Sequence, residues 1–236
     1  MTDALRLRGV IARRRSGPAV FSLEVPALDL PAGGLVAVTG ASGTGKSTLL
    51  DVAALAARPE AAAVLEVAGT DAAALWRQGR LETLAGLRGA CFGYVLQTGG
   101  LIPFLTLHEN ARLAQAFSRR RDEARIRHLA EALGIAALLG RLPVALSVGQ
   151  RQRAAILRAL AHRPGVVIAD EPTASVHPDM AETILALLAD QAREAGAAVL
   201  LATHDAAAAA RHGFALAPLR PVPGQMASIL AEPVPA

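Results

Sequence analysis

Leu35-Val36-Ala37-Val38-Thr39-Gly40-Ala41-Ser42-Gly43-Thr44-Gly45-Lys46-Ser47-Thr48 opens on a short apolar run and turns into a glycine-rich loop. The run shows no polar alternation, which predicts a strand buried on both faces of a parallel sheet. The loop matches G-x-x-x-x-G-K-[ST] in full, between that strand and a helix predicted over residues 47–56. Gly40, Gly43 and Gly45 let the backbone curl until successive N–H groups converge, and the positive end of the following helix adds its attraction for an anion. Ser42, Thr44 and Thr48 complete this phosphate-binding stretch. Lys46 reaches the β- and γ-phosphates of a nucleotide as a point charge, and the Ser47 hydroxyl suits Mg²⁺. Lys46 is also the single lysine among 24 basic residues. A chain that writes every other positive charge as a planar fork keeps a compact ammonium where a slim stem is needed.

A phosphate cradle needs a second half, and Val166-Val167-Ile168-Ala169-Asp170-Glu171 supplies it as an apolar strand ending in two carboxylates. They stand where ligands gather, at the C-terminal edge of a parallel sheet. Asp170 suits the metal shell, and Glu171 is the candidate general base on the water in line with the γ-phosphate. A third buried run covers 197–202. The alternating stretch 5–30 predicts a small N-terminal β layer with its turn at 13–18. Amphipathic patterns predict helices over 109–117, 122–133 and 149–162. The Pro-rich stretch 218–236 reads as a loose tail or an edge attachment.

The 236 residues are 53% hydrophobic and 3% aromatic, enough for one large domain with a core of Ala, Leu, Val and Ile. Cys91 is the sole cysteine, so no intrachain disulfide forms and a reducing compartment fits. No apolar stretch reaches the roughly 18 residues of a membrane span, and the N-terminus lacks a secretory signal, so the chain is expected to be cytosolic. The runs Arg13-Arg14-Arg15 and Arg119-Arg120-Arg121 carry no interleaved aromatics, and direct nucleic-acid binding is not expected.

Leu146-Ser147-Val148-Gly149-Gln150-Arg151-Gln152-Arg153 resembles the signature motif of ABC-type ATPases. Gln97, after a predicted strand at 92–96, is similar to that family's Q-loop glutamine, and His204 in Thr203-His204-Asp205 to its switch histidine. The resemblance spans about residues 5–215. It implies a P-loop NTPase (RecA-like) α/β core with a parallel sheet, an antiparallel N-terminal layer and an inserted helical subdomain. The expected division is one domain over 1–236, with its core at about 1–97 and 164–217, a helical subdomain at 98–163 and a loose tail at 218–236. It also implies ATP and Mg²⁺ as ligands, with Ser47, Gln97 and Asp170 at the metal and Glu171, His204 and Gln97 catalytic. The partner subunit's γ-phosphate would meet Ser147, Gly149 and Gln150 in a head-to-tail homodimer or heterodimer, since a helix N-terminus favours an anion. A separate membrane permease is implied, with this chain on the cytoplasmic face of the inner membrane. Leu101, Ile102, Phe104 and Leu105 form an apolar cluster expected on the surface, where the permease docks.

Three departures stand out. Val148 replaces the first glycine of the signature pair, and its side chain is expected to point away from the phosphate. His177 stands where the family places an aspartate that signals across the dimer. The aromatic that stacks on adenine is absent near residue 14, where Arg14 or a neighbouring Arg is expected to stack instead. The stretches Gly93-Tyr94-Val95-Leu96-Gln97, Leu101-Ile102-Pro103 and Leu107-His108-Glu109-Asn110 resemble lipoprotein-release and macrolide-export ATPases, which implies export or extraction of a hydrophobic or lipid-linked substrate. An importer ATPase, an ATPase acting on ribosomes or DNA, and a regulatory subunit with weakened turnover are the alternatives.

Overall fold

The computed structural model describes residues 3–17 and 19–235. A long hairpin comes first, β1 (Asp3–Ser16) antiparallel to β2 (Ala19–Pro31). Its apolar residues alternate, so Leu5, Leu7, Leu23, Val25, Leu28 and Leu30 are buried on one face while charged side chains take the other. The turn is tighter than predicted. Arg13, Arg14 and Arg15 belong to β1, opposite Ser22, Phe21 and Val20, and Pro18 lies outside the described residues. The short β4 (Val64–Val67) and β5 (Thr70–Asp71) extend this layer beyond β1.

The second layer is parallel: β3 (Leu35–Thr39), β6 (Phe92–Val95), β7 (Val166–Asp170) and β8 (Ala198–Ala202) stand in the order 3-8-7-6. Each of the three predicted buried runs is one of these strands. Side chains alternate between two cores, with Val36, Val38, Val166, Ile168 and Leu200 entering one and Ala37, Val167, Ala169, Val199 and Leu201 the other. Both faces are therefore covered, which is why the runs read as continuously apolar. Helices α1 (Lys46–Ala53), α2 (Ala72–Arg77) and α3 (Leu81–Cys91) lie on the first side. On the second lie α4 (Leu107–Ser118), α5 (Glu123–Ala132), α6 (Val148–Leu160), α7 (Pro178–Ala195) and α8 (Ala206–Arg211). Among them α4, α5 and α6 are the predicted amphipathic helices, each shifted by one or two residues.

The expectation of a loose tail over 218–236 is overturned. Residues Ala215–Pro221 form β9 and Ala227–Leu230 form β10, and the strand order β2-β10-β9-β3 puts them in the middle of one ten-stranded sheet. Leu219 and Leu230 are both core residues. Pro221 ends β9 and Pro223 lies in the connection, where no ladder N–H is needed, while Pro218 sits inside β9 opposite Thr39. No helix among the described residues is long and apolar enough to cross a membrane.

Candidate functional site

The loop between β3 and α1 takes the curled form that its glycines allow. Gly40, Gly43 and Gly45 have φ of 152°, 79° and 95°, and a Cβ on Gly40 or Gly45 would collide with Thr44 or Phe21. Thr44 Oγ1 donates to the Ala41 carbonyl at 2.9 Å, tying the curl. Lys46 Nζ donates to the carbonyls of Gly40 and Ala41 at 2.9 and 3.1 Å and stands 3.7 Å from Glu171 Oε1. The buried lysine thus lies along the inside of the loop, where a slender ammonium fits.

Glu171 follows directly from β7 with φ of 48°, a conformation that a non-glycine residue adopts only when its surroundings impose it. Its N–H donates to Ala202 O at 3.0 Å, and its Oε1 lies 2.6 Å from His204 Nε2. His204 comes off the end of the neighbouring strand β8. Asp170, 5% exposed, lies under the loop, where burial raises its carboxyl pKa while a hydrogen bond from Ser47 opposes the rise. A hydroxyl and a carboxylate so joined make an oxygen donor set suited to Mg²⁺, which is commonly held by one or two carboxylates plus substrate phosphates.

A cavity of about 310 Å³ opens above the loop, lined by Ser42, Gly43, Gly45, Lys46, Ser47, Thr48, Gln97 and Glu171. Gly40, Thr44 and Asp170 lie behind this wall. His204 shares a neighbouring cavity with Glu171. Ser147, Gly149 and Gln150 line neither cavity. They form the N-terminus of α6, where Gln150 N–H donates to Ser147 Oγ at 3.2 Å and Ser147 N–H to Gln150 Oε1 at 2.9 Å. A Cβ on Gly149 would stand 2.9 Å from Ser175 O, so the chain's own 174–176 turn demands glycine there. Val148 is 58% exposed. His177 caps α7, accepting the Asp179 N–H at 3.5 Å, so it takes over the capping task of an aspartate without the fixed charge.

The Arg14 guanidinium is engaged by Asp51 of α1, and its side chain also lines the 310 Å³ cavity. Phe21, directly opposite it on β2, lines the 310 Å³ cavity with its ring against Gly45. The cluster expected on the surface after Gln97 is divided. Phe104 is 77% exposed, but Leu101 packs against the second core and Ile102 is half-buried in a cavity beside β6.

The ABC transporter family matches residues 23–174. The lipoprotein-releasing system ATP-binding protein LolD of Cereibacter sphaeroides is 38% identical over 89% of this chain and 94% of its own. The macrolide export ATP-binding/permease protein MacB of Shigella flexneri is 35% identical over 89% of this chain and 32% of its own. A dimeric ATP-binding cassette in a post-hydrolysis state with ADP and Pi superposes with a TM-score of 0.83 at 29% identity, covering 92% of this chain and 94% of that one. A nucleotide-hydrolysing cassette is the class that fold and site define. The chain belongs to the ABC transporter family, as an ATP-binding domain with ATPase function.

Proposed function

We propose that this chain powers a separate membrane permease that extracts or exports a hydrophobic or lipid-linked substrate. The convergence of Lys46, Glu171 and His204 on one point beside the phosphate cradle carries the reading. In it, the loop N–H groups and Lys46 hold the β- and γ-phosphates of ATP, and Lys46 leaves the carbonyls of Gly40 and Ala41 to do so. Ser47, Asp170 and Gln97 would hold Mg²⁺, which would neutralise phosphate charge. Glu171 accepts the proton of the attacking water, and His204 steadies the γ-phosphate and that water. Phe21 supplies the flat surface for the base.

Ser147, the Gly149 amide and Gln150 serve the nucleotide of a second ATPase subunit in a head-to-tail dimer, homomeric or heteromeric. That role fits residues at a helix N-terminus which line no cavity with the loop of their own chain. The dimeric cassette relative supports this assembly. The similarity to LolD and MacB supports a lipoprotein-like or macrolide-like cargo and a position on the cytoplasmic face of the inner membrane. We assign the ATPase core to residues 3–97 and 164–230 and the helical subdomain that meets the permease to 98–163.

Glu171→Gln tests the assignment. It keeps the phosphate and metal contacts and removes the base, so ATP turnover should fall at least a hundredfold while ATP drives a stable dimer visible by gel filtration. Turnover at the wild-type rate would remove Glu171 from its role.

A further inference from the structure

The three residues assigned to Mg²⁺ stand on three separate elements. Ser47 lies in the first turn of α1, Asp170 at the end of β7, and Gln97 two residues past the end of β6. Two pairs of these elements are joined directly. A parallel ladder sets Val95 of β6 against Ala169 of β7, and Ser47 of α1 bonds Asp170. The third pair, α1 and β6, is joined by side chains: Tyr94 O–H donates to Asp51 Oδ1 at 2.8 Å. Because α1 packs over β7 and β8, the tyrosine reaches across from the next strand to make this bond. Asp51 follows Ser47 by four residues, so both side chains leave the same face of α1. Its other oxygen, Oδ2, accepts from the Arg14 guanidinium. Burial first, and the Asp51 carboxylate second, push the Tyr94 pKa up, so the phenol keeps the proton that it donates.

Asp51 lies close enough to Asp170 to raise its pKa, which makes it a neighbour of the oxygen donors. With Arg14 cancelling its charge, it serves as an anchor rather than as a further anion beside the metal. We propose that Asp51 and Tyr94 are positioning residues for Mg²⁺, a strut from α1 to β6 that sets how far the Gln97 amide stands from Ser47 and Asp170. This rests on the placement of Gln97 at the metal given above, and it names what holds that glutamine in place. Tyr94 precedes Gln97 by three residues, at the strand end from which the loop departs. Strand β6 is at the edge of the sheet and is paired on one side only, so the ladder by itself leaves that end free to rock. The strut supplies a second fixed point. Mg²⁺ demands near-ideal octahedral geometry, so a donor that drifts from its place is a donor lost.

Metal binding can be read apart from turnover. In the Glu171→Gln background, the affinity for a fluorescent ATP analogue is measured in EDTA and over a range of free Mg²⁺ concentrations. Tyr94→Phe, which loses only the hydroxyl, should raise the half-saturating Mg²⁺ at least about tenfold, the scale on which partners behind a metal's ligands act. Its affinity in EDTA and its Tm should stay as they were. Gln97→Ala should also raise the Mg²⁺ requirement, and adding Tyr94→Phe to it should raise it no further, because the strut acts through that glutamine. An unchanged requirement in Tyr94→Phe while Gln97→Ala shifts it overturns the strut and keeps Gln97 at the metal. Additive shifts overturn the route through Gln97. A loss of equal size in EDTA reduces the bond to a structural tie and overturns the proposal as well. No shift in Gln97→Ala removes Gln97 from the metal, and the strut falls with it.

Discussion

His162, which donates from Nε2 to Phe92 O, gives the fold one source of acid sensitivity. Burial holds its pKa at about 4 in the folded chain against 6.5 for a free histidine. Above pH 6.5 the ring is neutral in both states and the fold loses nothing. As pH falls from 6.5 towards 4, the unfolded chain takes up a proton that the folded chain refuses, and stability drops by up to about 3 kcal/mol. His162→Gln, which keeps a donor near Phe92 O without titrating, should flatten that acid slope in denaturant titrations at pH 7, 5.5 and 4.5. An unchanged slope would assign the acid sensitivity to other groups. Phe21 acts at the same scale on binding. Base stacking on an aromatic is worth about 1–3 kcal/mol, so Phe21→Ala should weaken ATP affinity about tenfold, whereas Phe21→Tyr should not. Equal affinity for all three proteins in a fluorescent-nucleotide titration would take the ring out of the base site. Phe21 was not legible from the motif pattern, because its place opposite Arg14 depends on hairpin register, which no local pattern records.

At the scale of the element, local geometry made the site legible. The loop 40–48 and the strand end at 170–171 each combine a short motif with an apolar strand that fixes its direction, so their placement followed from the residues, whereas His204 was singled out only by its resemblance to the family's switch histidine. The cluster 101–105 misled where tertiary contact decides, since nothing in four neighbouring apolar residues distinguishes Leu101, turned into the second core, from Phe104, turned to solvent. The α6 N-terminus carries two tasks that can be separated. Ser147→Ala removes the cap and should cost about 1 kcal/mol, lowering Tm by about 2–4 °C. Ser147→Asp preserves a cap but sets a negative charge where the proposed dimer puts a phosphate. It should melt like the wild type and fail to dimerise with ATP in the Glu171→Gln background. An ATP-driven dimer with Asp in place would exclude Ser147 from the phosphate contact.

For the molecule as a whole, the misread C-terminal stretch is the most consequential. Prolines dominated the reading of 218–236, whereas Leu219 and Leu230 pack on residues from the other end of the chain, at sequence separations no local pattern records. Ending the chain after Pro221 deletes β10 and uncovers the edges of β2 and β9. A fully buried leucine is worth about 2–5 kcal/mol, so Tm should fall by 5 °C or more, with aggregation through the opened edges. An unchanged Tm would restore the tail. Because β9 and β10 are the strands that join β2 to β3, the hydrogen-bonded link between the hairpin that carries Phe21 and the loop that carries Lys46 runs through them. A chain emerging from the ribosome therefore cannot close this ten-stranded sheet until residues 227–230 are out.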